Sequence, residues 1–261
     1  METLILERSN GVAVLTLNRP EKKNAVSGTM WRELEAVLNE VAENAEDRVL
    51  VVTGAGDGFC SGQDLMDGRN SKDFAGSGGA LRSMRRVGRI ALALHEMPKP
   101  TIAAVNGVAA GAGANLALGC DLVIAGASAR FSQIFTKRGL NVDFGGSWLL
   151  PRLVGLHKAK ELVLLGDMLD AAGAERFGFV NRVVPDDRLM AEVHEIAARL
   201  AAGPPLALSM AKRMLNQSFE QSMAQSLEAE AVAQTVAFNT ADVMEAMDAF
   251  VNKREPKFIG D

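Results

Sequence analysis

Two short apolar-rich runs open the chain, Thr3 to Glu7 and Val12 to Leu17, on either side of Asn10-Gly11. That dipeptide between two such runs is the strongest short hairpin signal. The second run ends at Asn18-Arg19-Pro20, and a polar loop follows over residues 21–24. The period then changes. Ser27 reads as a helix N-cap, and Met30, Leu34, Val37, Leu38 and Val41 recur at helical spacing, predicting an amphipathic helix to about Ala45. Val49 to Thr53 is a short buried strand, followed at once by the glycine-rich turn GAGDGFCSGQDL. Residues 67 to 79 are polar and glycine-rich and read as a mobile loop. A helix from about Ala80 to Glu96 stops ahead of Pro98 and Pro100.

The stretch NGVAAGAGANLALGCDLVIA, residues 106–125, organises the middle of the chain. It reads as strand, tight small-residue turn, short buried helix and strand. A turn almost without side chains lets another molecule lie against bare backbone. A helix starting there points N–H groups without intrahelical partners at whatever sits in front of it. A phosphate or an enolate oxygen would be held equally well. Beyond it, Phe131 to Arg138 reads as a short helix and Leu140 to Phe144 as a loop. Helices then start at Gly145-Gly146-Ser147 and at Lys158, and Phe179 to Val184 is the last strand. From Asp186 onward the pattern is all helix, broken at Gly203-Pro204-Pro205, and the last helix carries Val243, Met247, Phe250 and Val251 on one face. Strands alternating with helices, then helices alone, predict an α/β fold with mainly parallel pairing and a helical C-terminal segment.

Composition narrows the function classes. The chain has 261 residues, 48% of them hydrophobic and 23% charged, enough for a sizeable core. No apolar run reaches membrane-spanning length. The opening METLILERSN lacks the basic and long apolar regions of a signal peptide, so none is expected. Cys60 and Cys120 form no framework and no metal-ligand spacing, which fits a reducing cytoplasm. A net charge of -4 argues against nucleic acid as the main partner.

The two glycine-rich turns invite a dinucleotide-binding reading, but neither fits G-x-G-x-x-G: after Gly111 and Gly113 the third position on is Leu116. Each can be an ordinary strand-to-helix turn. Alternatively, two turns that each supply one backbone N–H to a common point form an oxyanion hole.

Four motifs occur in order: LNRPEKKNAV (17–26), GFCSGQDL (58–65), NGVAAGAGANLALGCDLVIA (106–125) and GLNVDFGGSWLLPRLVG (139–155). Together they resemble the crotonase superfamily, the enoyl-CoA hydratase/isomerase family, over essentially the whole chain. The resemblance implies a crotonase-type spiral of ββα repeats over about residues 1–200 and a helical trimerisation segment over 201–261. It implies acyl-CoA thioester substrates, assembly as a homotrimer or a dimer of trimers, and no metal or separate cofactor, coenzyme A arriving as part of the substrate. Carried over, the oxyanion donors are the N–H groups of Gln63 and Ala112. Relatives that hydrate double bonds carry two catalytic glutamates, and this chain has Asn115 and Phe135 at those positions. An amide and a phenyl ring cannot do the acid/base work of paired carboxylates.

One acid remains. Asp143, in NVDFGGSW, stands where several isomerases of the family place a catalytic aspartate, and the chain is most similar to the branch that includes ring-1,2-epoxyphenylacetyl-CoA isomerases. A single carboxylate suits a 1,3-proton shift. An atypical hydratase using Asp143 and Asn115, or a CoA-ester-binding protein with little catalysis, are the alternatives. Asp143 has a competing role as helix N-cap ahead of Gly145-Gly146-Ser147. Asn115 either meets water or substrate or holds the turn together. Phe135 is expected to wall the acyl pocket. The resemblance adds Ala25, Gly111, Leu65 and Met66 to the substrate-binding set. Asp64 lies there too, although its place suggests a helix cap. Lys22, Lys23, Lys253, Arg254 and Lys257 are candidates for CoA phosphates, the last three across a subunit boundary, against the alternative of a solvated face. Cys60 is expected to be a small buried residue. His95, His157 and His194 fall in no motif.

Overall fold

The computed structural model describes residues 1–70 and 76–261, without the side chains of 68–70, 76 and 77. Strands β1 (Leu4–Ser9) and β2 (Val12–Leu17) form the predicted hairpin. Asn10 (φ 50°) and Gly11 (φ 78°) both take the left-handed conformation that a two-residue turn of this twist requires. Ser27 caps helix α1 (Gly28–Glu43), its hydroxyl accepting the Met30 N–H at 3.1 Å. The five predicted apolar positions of α1 are all buried, together with Trp31.

Six strands form one sheet in the order β1-β2-β3-β5-β7-β10, comprising also β3 (Val49–Gly54), β5 (Thr101–Val105), β7 (Leu122–Gly126) and β10 (Arg182–Val184). Every pairing after the first hairpin is parallel. Strands β3 and β5 are buried along their whole length, which is why they read as unbroken apolar runs. A second sheet, in the order β4-β6-β8-β9, is built from β4 (Gly58–Cys60), β6 (Val108–Ala110), β8 (Arg130–Ser132) and β9 (Leu169–Asp170). Its strands β4, β6 and β8 directly follow β3, β5 and β7 with one turn between, so the chain steps from the large sheet to the small one at each of these repeats. Helix α4 (Ala112–Leu118), buried throughout, completes the central repeat.

Several boundaries differ from the sequence reading. The stretch from Phe131 is not helical from its start. Its first residues pair as β8 with β6, and only Ile134–Arg138 coil, as a 3-10 turn. Three residues reading Arg-Phe-Ser carry no period to tell strand from helix, and the partner strand decides. The predicted loop at 67–79 is in part helix α2 (Leu65–Asn70) and the start of α3 (Gly76–His95); positions 71–75 lie outside the described residues. Helix α5 (Gly146–Leu165) joins two predicted helices across a kink at Gly155, where the backbone is non-helical. Strand β9 and helix α6 (Ala171–Phe177) were not anticipated.

After β10 the chain is helical: α7 (Leu189–Ala201), α8 (Pro205–Gln217), α9 (Met223–Ala237) and α10 (Ala241–Val251). Helix α7 covers the outer face of the large sheet through Leu189, Val193, Ala197 and Ala201. The predicted apolar face of α10 exists but is largely uncovered, with Phe250 85% and Val251 75% exposed. No helix among the described residues is long and apolar enough to cross a membrane.

Candidate active site

The two glycine-rich turns meet because β4 and β6, the strands that lead into them, pair side by side. Gly62 stands at φ 94°, and a Cβ there would lie 2.8 Å from the Ala110 carbonyl and 3.6 Å from Ala112 N. A side chain at this point would wedge the turns apart. The same closeness recurs one residue further on: a Cβ on Gly113 would strike the Cys60 carbonyl at 2.2 Å and its sulfur at 2.7 Å. Glycine at 62 and 113 is thus a packing requirement. Cys60 is fully buried, and burial pushes its thiol up to about 12, which leaves it unreactive.

Ala112 is the first residue of α4, so its N–H has no partner within the helix. Among the described residues neither the Gln63 nor the Ala112 N–H has an acceptor. The loop around Gln63 is fixed from both sides in sequence: Val26 N–H donates to the Gly62 carbonyl at 2.8 Å and Asp64 N–H to the Val26 carbonyl at 3.0 Å. The Gln63 side chain accepts from Trp31 Nε1 at 2.6 Å, and Trp31 stacks on Phe144 with centroids 5.6 Å apart. One indole therefore ties the first turn to the residue after Asp143.

A second tie comes from Asn115, one helical turn beyond Ala112. Its Nδ2 donates to the Asp143 carbonyl at 2.8 Å, and its Oδ1 accepts from Gln133 Nε2 at 2.8 Å. Asn115 is fully buried with both ends of its amide in use, so it holds turn and loop together and is withdrawn from solvent. Gly146 completes the junction, since a Cβ there would lie 2.3 Å from Asn115 Nδ2.

Asp143 is not an N-cap. Helix α5 is preceded by Gly145 with no side-chain cap, and it is the Asp143 carbonyl that takes the Gly146 N–H, at 3.0 Å. The carboxyl itself is largely buried, and its Oδ1 has no hydrogen-bond partner. Burial alone pushes its pKa up to about 6, and no neighbouring charge contributes. A carboxyl that is desolvated, unpaired and poised near neutrality has the properties of a general acid/base. A paired or exposed aspartate would have none of them.

The other predicted residues divide. Phe135 is buried with its ring 3.6 Å from the place a Cβ on Gly111 would take, so it packs against the second turn. Asp64 caps α2, its Oδ1 accepting from Met66 N–H and Asp67 N–H, and its Oδ2 pairs with Arg19 at 3.0 Å. Although burial opposes it, Arg19 and these amides hold the Asp64 carboxyl below its usual range. Leu65 and Met66 are exposed at 47% and 67% on α2, beside Asp64. Ala25 accepts from Arg19 Nη1 through its carbonyl. Lys22 is exposed, while Lys23 pairs with Asp57 at 2.5 Å. Arg254 forks onto Glu245 and Asp248 beside exposed Lys253 and Lys257, at the far end of the chain from the turns. Trp31, Gln133 and Gly62 were missed. Only Gly62 had a sequence signal, as the glycine ahead of the donor. No group of three or more metal-ligating side chains occurs among the described residues.

Known proteins resemble this chain along its whole length. Residues 7–261 match the family model described as Enoyl-CoA hydratase/isomerase. The chain is 41% identical to the 1,2-epoxyphenylacetyl-CoA isomerase of Escherichia coli (strain K12), over 100% of this chain and 99% of that one. It is 34% identical to the short-chain-enoyl-CoA hydratase of Clostridium acetobutylicum, over 98% of this chain and 97% of that one. Among solved structures, the enoyl-CoA hydratase from Bacillus anthracis superposes with a TM-score of 0.94 at 31% identity, covering 99% of this chain and 100% of the other.

Proposed function

The chain belongs to the enoyl-CoA hydratase/isomerase family, and we propose that within it this protein is an acyl-CoA isomerase using Asp143 as its one acid/base. The observation that carries the reading is the state of that carboxyl: largely buried, with Oδ1 enclosed and unpartnered, and raised to about 6 with no second charge acting on it. Hydration has to activate water and protonate carbon, which suits two carboxylates. Double-bond migration needs one. The Asp143 carboxylate takes a proton from C2, the carbon between the thioester carbonyl and the double bond, and the electron pair of that C–H bond moves into the dienolate. The N–H groups of Gln63 and Ala112 stabilise the enolate oxygen. The same carboxyl then returns the proton to the other end of the three-carbon unit, the carbonyl re-forms and the carboxylate is regenerated. Each such backbone donor is worth about 100- to 1000-fold in rate.

Relatives named as isomerase and as hydratase both align along the whole chain, so names do not choose between them. A paired assay does. Supplied with a 3-enoyl-CoA, the protein moves the double bond into conjugation; supplied with crotonyl-CoA, it hydrates at least about 100-fold more slowly, the size of one missing acid/base. Hydration as fast as migration would assign the site to a hydratase.

The C-terminal helices support a reading of assembly as well. Met223, Phe238, Met244, Phe250 and Val251, all on or next to these helices, are more than half exposed, and large exposed apolar side chains gathered on one segment are the usual mark of a subunit contact. We propose that this segment is covered by two further copies, giving a homotrimer or a dimer of trimers. Light scattering is expected to return three or six chain masses. A single chain mass at micromolar concentration would contradict this.

A further inference from the structure

The two amides of the proposed oxyanion hole are open donors, and the protein carries an acceptor of its own beside them. Gln63 bridges to Val26 in parallel register. Val26 bonds to the residues on either side of Gln63, donating to the Gly62 carbonyl and accepting the Asp64 N–H. In a parallel ladder the residue between two such bonds turns its own N–H to the opposite edge. The second turn is close at hand: the place a Cβ on Gly62 would take lies 2.8 Å from the Ala110 carbonyl and 3.6 Å from Ala112 N. The Gln63 side chain leaves the backbone at the next residue. Its Oε1 is an acceptor with two lone pairs on a flexible tether. An N–H without a partner draws any acceptor within reach. Left loose, Oε1 would fill the hole from within.

Trp31 holds that oxygen. Its Nε1 donates to Gln63 Oε1 at 2.6 Å. An indole nitrogen can only donate, so the end of the carboxamide it grips is the oxygen and not the nitrogen. The indole has nowhere to turn. It is 4% exposed, its α1 neighbours Met30 and Leu34 are fully buried, and it stacks on Phe144 at 5.6 Å with the planes 24° apart. A phenyl ring would make the same stack and bury the same face. Packing therefore accounts for an aromatic residue at 31 but not for its N–H.

We infer that Trp31 is a positioning residue of the site: its N–H holds the Gln63 carboxamide oxygen away from the Gln63 and Ala112 N–H groups, and so keeps both donors free for the thioester oxygen. The inference rests on the acyl-CoA reading above and adds a residue that touches no substrate atom. It gives Gln63 two opposed parts, a main chain that serves the hole and a side chain that would block it.

The probe is butyryl-CoA, whose thioester oxygen enters the hole and whose acyl group has no double bond to move. Calorimetry gives its Kd for the wild type, for Trp31→Phe and for the double variant Trp31→Phe/Gln63→Met. Trp31→Phe keeps the stack and frees the carboxamide. It is expected to weaken binding about tenfold, roughly the contribution of the one hydrogen bond that the thioester must then displace. The double variant has no Oε1, and methionine is close to glutamine in shape. It is expected to recover to within about threefold of the wild type. A loss caused by damaged packing would persist or deepen on the second substitution. Wild-type affinity in Trp31→Phe would overturn the inference, as would a loss that the double variant does not recover. Because the ester is not turned over, a failed isomerase assay leaves this series intact. A wild type that does not bind butyryl-CoA would instead remove the acyl-CoA reading, and the inference with it.

Discussion

Asp143→Asn is expected to remove double-bond migration and, at the same time, to make the protein more stable at alkaline pH. The first effect is the loss of the only acid/base, about 100- to 10,000-fold in kcat, with acyl-CoA affinity retained because the thioester is held elsewhere. The second follows from linkage. The folded-state pKa of about 6 lies above the ordinary carboxyl value, so the folded chain binds the proton more tightly than the unfolded chain does. That stabilisation is fully present below the unfolded pKa and is lost as pH rises through about 6. Above that, an ionised and unpartnered carboxylate burdens the fold. The shift corresponds to a ceiling of about 3 kcal/mol, which partial solvation of the group cuts to about 1–2 kcal/mol. An asparagine carries no charge to bury. Denaturant unfolding at pH 8 is expected to show the variant more stable by that amount, and at pH 4 the difference shrinks toward zero. A variant that stays active, or that is no more stable at pH 8 than at pH 4, would take Asp143 out of the mechanism or out of its desolvated setting.

Asn115→Leu is expected to be the most damaging single change to the site without touching a reacting atom. Asn115 is the bridge between α4 and the Asp143 loop, and its Oδ1 accepts from Gln133 Nε2. Gln133 Oε1 is already buried without a partner, so leucine leaves that whole carboxamide unsatisfied. An unpaired buried polar group costs about 1–3 kcal/mol. Leucine also has to fit where Gly146 leaves no room for so much as a methyl group, and overpacking adds about 1–3 kcal/mol. A loss of about 3 kcal/mol is expected by chemical denaturation. It comes with a fall in kcat of about 100-fold, because a displacement near 1 Å at a positioned acid costs that much. Asn115→Asp offers a contrast, since it keeps the shape and the acceptor for Gln133 but loses the donor to the Asp143 carbonyl. It is expected to fall between wild type and leucine.

The sequence carried the hairpin, the capped helix α1 and the alternation of strands and helices, because Asn10-Gly11, Ser27 and the spacing from Met30 to Val41 each satisfy a local rule. It also carried Gln63, Ala112 and Asp143 as candidates, through motif resemblance. Local rules could not show that the first two follow neighbouring strands, since pairing of β4 with β6 joins segments some fifty residues apart. They failed at β8, where three residues become a strand only because a partner strand is present. They were silent on Trp31 and Gln133. An indole on an amphipathic helix reads as core, and Trp31 is core, yet its one polar atom reaches Gln63. A glutamine after a short strand reads as surface, and Gln133 is buried only because Asn115 and the small second sheet close over it. The competing roles for Asp143 and Asn115 were likewise matters of where a side chain ends, which periodicity does not encode.

The most direct measurement is the pH dependence of kcat/KM for migration of the double bond in a 3-enoyl-CoA. A lone desolvated carboxylate acting as base predicts a rising limb centred at about 6. A rate that stays flat down to pH 4.5 would mean that Asp143 is an ordinary solvated acid, or that another group moves the proton.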